Sequence, residues 1–127
     1  VELYRGGVVP LRQFAEAPYN RDILVRVRIP REDAVFSYRS VRPAKTDFPA
    51  LTCAAARLSD GSYRFAVGAR PGRAVVLAAE GTPDTLAENV ASRIVTGSNG
   101  RGSAAYRSQL VRTLVRRAAE ELEGGAL

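Results

Sequence analysis

Apolar and polar residues follow two rhythms along this chain, a period of two toward the N-terminus and a helical period toward the C-terminus. Ile23, Val25, Val27 and Ile29 share one face of a segment whose other face carries Leu24, Arg26 and Arg28. That alternation predicts a half-buried strand over 23–29, ended by Pro30. Residues 34–41 read as a second strand, and a polar loop follows over 42–47. The segment from Phe48 to Leu58 is apolar with little pattern; its small residues, Ala50, Cys53, Ala54, Ala55 and Ala56, would let another layer approach closely. Ser59-Asp60-Gly61-Ser62 is a hairpin turn signal. Tyr63, Phe65, Val67 and Ala69 then alternate with Arg64, Ala66 and Gly68, and Pro71-Gly72 turns the chain into a short run over 73–77. Residues 1–20, broken by Gly6, Gly7, Pro10, Pro18 and Asn20, read as an extended lead-in.

Two helices close the sequence. Thr82-Pro83-Asp84 supplies a capping hydroxyl, a first-turn proline and an acid suited to a helix N-terminus. Leu86, Ala87, Val90, Ala91 and Ile94 form its apolar stripe. Residues 96–102 read as a flexible loop, and Ser103 as the cap of the last helix. Tyr106, Leu110, Leu114, Ala118 and Leu122 recur every four residues beside Val111 and Val115, and Gly124-Gly125 ends the helix. Strands followed by helices predict an α+β fold: an antiparallel sheet of three to four strands covered on one side by the C-terminal helices. No helix is expected between the strands, which disfavours a doubly wound fold.

The chain has 127 residues, a length that suits one domain. No apolar run approaches the roughly 20 residues of a membrane span. Cys53 is the only cysteine and histidine is absent, which excludes a disulfide framework, a zinc site built from Cys and His, and a Ser-His-Asp or Cys-His catalytic set. A lone cysteine and no signal peptide make the cytoplasm the default compartment. The chain lacks methionine altogether, which leads us to expect a piece of something longer. Net charge is +6, almost all from arginine, spread along the chain without a block of five or six.

Few constellations carry chemistry. The acids form no spaced pair in an apolar setting, so no general acid/base dyad and no catalytic residue is assigned. The loop from Thr96 to Gly102 lacks the Gly-Lys-Ser/Thr ending of a phosphate-binding loop and reads as a plain connection. Arg107, Arg112, Arg116 and Arg117 read as a solvated helix face, with Glu120 within reach of Arg116 and Arg117 and Glu121 within reach of Arg117. Cys53 reads as a buried, inert thiol. Tyr38-Arg39, an aromatic–cationic pair leading into the polar loop, is the most suggestive: arginine offers a planar fork of donors to an anion or carbonyl.

Several stretches, in order, resemble the FAD-binding (medium) subunit of the xanthine dehydrogenase and CO dehydrogenase family of molybdenum hydroxylases. They are Val9-Pro10-Leu11 with Phe14; Asp22-Ile23-Leu24 running to Ile29-Pro30; and Phe36-Ser37-Tyr38-Arg39 through Arg42, Asp47 and Leu51. The last is Arg101-Gly102-Ser103-Ala104 with Tyr106-Arg107, then Leu110, Leu114, Val115, Arg116 and Arg117. The resemblance implies that residues 1–30 are the tail of a preceding FAD-binding domain or an extended lead-in strand. It implies that residues 31–127 are a domain like the C-terminal domain of the CO dehydrogenase flavoprotein.

In that family a molybdopterin subunit oxidises the substrate, a 2Fe-2S subunit relays electrons, and the flavin subunit passes them on. The resemblance therefore implies a non-catalytic part of an oxidoreductase, with FAD as the cofactor of the complete subunit. The upstream FAD-binding domain and the molybdopterin and 2Fe-2S subunits would be its partners, with no nucleic acid and no membrane. Leu24 matches an apolar position whose segment contacts the flavin. Arg39 matches a basic position, often lysine, near the isoalloxazine, and the 42–47 loop matches a segment beside it. Arginine in place of lysine keeps the charge and changes the donor geometry. The family's glycine-rich pyrophosphate loops are absent from this sequence, so the chain alone is expected to bind FAD weakly or not at all. The face carrying Leu24 and Arg39 is expected to be open. The alternative is a small basic module that binds nucleic acid or a protein partner, which predicts a contiguous arginine patch.

Overall fold

The computed structural model describes residues 1–18 and 21–124, which divide into two compact units, Val1–Glu32 and Asp33 onward. The second unit holds the core. Its strands β4 (Ala34–Val41), β5 (Leu51–Leu58), β6 (Tyr63–Gly68) and β7 (Val75–Ala79) form an antiparallel sheet in that order. Helices α2 (Pro83–Arg93) and α3 (Ala104–Gly124) lie together on one face. The fold is α+β, as the order of strands and helices predicts.

Strand alternation decides what faces the helices. In the register Val41↔Leu51, Arg39↔Cys53 and Ser37↔Ala55, these six positions point to the helix side. Cys53, Phe65 and Val67 are fully buried there against Leu86, Val90, Val111 and Val115. The small residues Cys53 and Ala55 on the sheet, and Ala118 and Ala119 on α3, permit this close approach. Tyr63 and Phe65 stack with centroids 6.0 Å apart. On the opposite face, Phe36, Tyr38 and Val76 are each more than 60% exposed.

Helix α2 begins as its sequence predicts. The Thr82 hydroxyl accepts from the Thr85 N–H, Pro83 opens the first turn and Asp84 lies within it. Its buried side is Leu86, Ala87, Val90 and Ala91, with Ile94 buried just beyond. On α3 the Ser103 hydroxyl accepts from the Tyr106 N–H. The apolar stripe of α3 is turned from the predicted one. Arg107, Val111, Leu114, Val115, Ala118, Ala119 and Leu122 are buried, whereas Tyr106 is 46% exposed. Leu110 is only partly buried. Gly125, the second predicted stop, lies outside the described residues.

The first unit departs from its reading. Residues 1–18 are not simply extended: β1 (Glu2–Leu3) and β2 (Gly7–Val8) pair antiparallel, and Pro10 leads into helix α1 (Leu11–Glu16). Proline at that position sets φ at −57° and loses no helical hydrogen bond. Asn20 lies outside the described residues. The strand predicted over 23–29 is shorter, β3 (Leu24–Arg26), because its partner β1 offers only two residues of ladder. Its apolar row is not half-buried: Ile23, Val25, Val27 and Ile29 are all exposed, Ile29 at 86%. Among the described residues, no helix is long and apolar enough to cross a membrane.

Candidate functional site

Tyr38 and Arg39 do not act as a pair. They are adjacent on β4, so the strand's alternation sends them to opposite faces. Tyr38 stands on the open face. Arg39 lies at the rim of the helix-covered face, contrary to the expectation that its face is open. Its Nε and Nη2 donate to Glu121 Oε2 on α3 at 3.1 and 2.8 Å. The buried Ser37 hydroxyl donates to the same oxygen. These donors, Ser37 first and Arg39 second, hold the Glu121 carboxyl below its ordinary range. The Arg39 side chain remains 42% exposed, and only its Nε and Nη2 donate to Glu121.

Beyond Arg39 the chain enters the polar loop, which is closed at its base by Ala50 N–H donating to the Val41 carbonyl at 2.7 Å. Arg42 Nη1 donates to the Asp47 carbonyl at 3.0 Å. At the tip, Arg101 Nη2 and Nε reach Asp47 Oδ1 at 3.0 and 3.2 Å. The Arg101 guanidinium also covers the Phe48 ring, 5.3 Å from its centroid. The Arg101 donors, then the Phe48 N–H, lower the Asp47 carboxyl below the usual carboxylate range.

The base of the loop is fastened by Arg107, which is fully buried. Its Nε donates to the Ala50 carbonyl at 2.8 Å, and its Nη1 to the carbonyls of Gly97, at 2.8 Å, and Gly102. Its Nη2 donates to Asn99 Oδ1 at 2.5 Å. Residues 96–102 are therefore an ordered turn rather than a plain flexible connection. The amides of Gly97, Asn99, Arg101, Gly102 and Ala104 all donate within the protein. A loop whose amides are already engaged is no anion cradle.

Sequence reading places Arg107 on a solvated basic face, and the structure overturns this. Its spacing held the signal: 107, 111, 114 and 118 fall on one side of a helix, so this arginine occupies the apolar stripe. Two other arginines of α3 pair across elements. Arg112 reaches Glu88 at 3.1 Å and Arg116 reaches Asp84 at 3.5 Å, while Glu121 turns to Arg39.

Leu24 opens β3 in the first unit and is 46% exposed. Around it, Arg26 and Arg28 converge on Glu2 at 3.1 and 2.7 Å. The Asp22 carboxylate accepts from the backbone N–H groups of Arg5, Gly6 and Ile23. Burial of Asp22 raises its pKa, but those N–H donors outweigh it and the net shift is downward. Leu24 and Arg39 thus belong to separate units. Cys53 is fully buried, and burial pushes its thiol up to about 12.

No family model matches the chain, and no curated protein matches it. Among solved structures, the crystal structure of quinoline 2-oxidoreductase from Pseudomonas putida 86 matches with a TM-score of 0.70. Its fold is that of part of this oxidoreductase. The match covers 83% of this chain at 23% identity. It covers 42% of the solved chain, so the sequence spans less than half the length of the protein it resembles.

Proposed function

We propose that the chain is the C-terminal part of the FAD-binding subunit of a molybdopterin-dependent hydroxylase. In this reading it contributes one wall of the flavin site without itself catalysing the reaction. The observation that carries the proposal is Arg39 and the loop behind it. They combine a family-like strand–loop–strand sequence with a fold shared with an oxidoreductase that acts on quinoline. Arg39 would meet the isoalloxazine with the edge of its guanidinium not engaged by Glu121. Leu24 would supply an apolar contact, and the 42–47 loop would border the ring. When bound, FAD would accept electrons relayed from the iron–sulfur subunit. In this reading Arg39 and the 42–47 loop would orient the flavin. The upstream FAD-binding domain, the molybdopterin subunit and the 2Fe-2S subunit are the proposed partners, and the cytoplasm the proposed compartment.

A polyanion-binding module finds less support, because many arginines are committed to carboxylates, among them Arg26, Arg28, Arg39, Arg101, Arg112 and Arg116. Flavin fluorescence titration of this chain joined to its upstream region tests the proposal. Tight binding is expected, with Arg39→Ala weaker by roughly tenfold, as for loss of one charge-assisted hydrogen bond. Failure of the joined protein to bind FAD would sink the flavoprotein reading.

A further inference from the structure

Two loops far apart in sequence meet at the first turn of α3, and one buried side chain joins them. The 42–50 loop offers the Ala50 carbonyl, and the 97–102 turn offers the carbonyls of Gly97 and Gly102 and the Asn99 side chain. The guanidinium of Arg107 takes all of these. Among the described residues no carboxylate accepts from it, so a charged group is buried there on hydrogen bonds to neutral groups. An apolar residue would continue the stripe of Val111 and Leu114 at lower desolvation cost. What arginine supplies there is geometry: a rigid planar fork whose donors fix the directions between two loops.

The bonding is graded. The base of the 42–50 loop is held by buried contacts, at Ala50 N–H to Val41 and Ala50 carbonyl to Arg107. The tip is held by the half-exposed Arg101–Asp47 pair. Arg101 belongs to the turn that Arg107 organises, and its own N–H donates to the Asn99 oxygen that accepts from Arg107. Base and tip therefore share a single anchor.

We propose that Arg107 is the positioning residue of the flavin-bordering loop, setting through Ala50 and the 97–102 turn where residues 42–48 stand against a bound isoalloxazine. The inference rests on the flavin reading above and adds a residue that touches neither cofactor nor solvent.

The test uses the complete FAD-binding subunit with Arg107→Lys and Asn99→Ala, compared with wild type in two measurements. The first is amide hydrogen exchange without FAD; the second is FAD affinity together with the flavin reduction potential. Exchange over 42–50 is expected to rise roughly tenfold or more in Arg107→Lys, which keeps the charge and loses the fork, while β6 amides stay protected. FAD affinity should fall several-fold and the potential should shift. Asn99→Ala removes one acceptor and leaves the core intact, so it should move both readouts the same way even if Arg107→Lys folds poorly. Faster loop exchange with unchanged affinity and potential would mark Arg107 as merely structural and overturn the inference. Wild-type behaviour of Arg107→Lys would overturn it too, since the fork would then be dispensable. A wild-type subunit that binds no FAD takes down the flavin reading and this inference with it. Binding by wild type with no change in the variants takes down this inference alone.

Discussion

The fork of Arg39 closes on a single oxygen of Glu121, 82 residues further along the chain, and fastens β4 to the last turns of α3. A basic residue that sequence resemblance assigns to a cofactor is thus already engaged by a carboxylate within its own domain. Glu121→Gln should loosen that hold and change the FAD affinity of the complete subunit. Glu121→Gln in an Arg39→Ala background should then do nothing more. A full additional effect in that background would show that the two residues act independently.

The same pair predicts a pH dependence. Glu121 has its folded pKa depressed below the ordinary 4.5, so its contribution to stability is complete above that value. It is lost as pH falls through the folded pKa. Urea denaturation from pH 7 downward should show wild type more stable than Glu121→Gln at neutrality, the two converging in acid. A difference that persists unchanged in acid would rule out ionisation of Glu121 as its source.

Arg107 has three backbone carbonyls and one amide as acceptors, and Asn99 supplies the amide. Asn99→Asp keeps an oxygen for both Arg107 and the Arg101 N–H and adds the charge that the buried guanidinium lacks. We expect a gain of about 1 kcal/mol at neutral pH, the difference between a neutral and a charge-assisted hydrogen bond. The gain should vanish in acid, where the new carboxyl is protonated. Thermal melts at neutral and acid pH check both points.

Two phenylalanines on opposite faces of one sheet should behave oppositely. Phe65 is fully buried under the helices, and Phe65→Ala should cost about 3–5 kcal/mol. Phe36 is 66% exposed on the open face, and Phe36→Ala should stay within about 0.5 kcal/mol in this chain. A large loss at Phe36 would mean that the open face is covered in solution.

Cys53 should be inert. It is buried opposite Arg39 in the ladder, and burial raises its thiol to about 12. A thiol reagent at pH 8 should leave the native protein unmodified and label it fully in denaturant. Rapid labelling of the native form would contradict this burial.

Where local pattern and tertiary packing agree, the sequence was a good guide. The caps at Thr82 and Ser103, the turn at Asp60-Gly61 and the buried stripe of α2 depend on residues a few positions apart, and all lie where they were read. Leu51, Cys53 and Ala55 were harder, because the segment from Phe48 to Leu58 carries apolar or small residues on both faces and so has no visible period. The first unit fails in the opposite way. The row from Ile23 to Ile29 alternates well, but alternation says only that a strand can be half covered, not that a covering layer is present.

The sequence by itself determined the α+β order of strands and helices, the exclusion of histidine and disulfide chemistry, and the candidacy of Arg39. Tertiary structure alone decided that Arg39 meets Glu121 across 82 residues, and that Arg107 finds the Ala50 carbonyl across 57 and joins it to the 97–102 turn. The physical reason is the range of the interactions. Capping, turns and helical spacing act over a few residues and are written in adjacent letters. A guanidinium can accept burial only when carbonyls from distant loops converge on it, and that convergence exists only once the sheet and helices have packed.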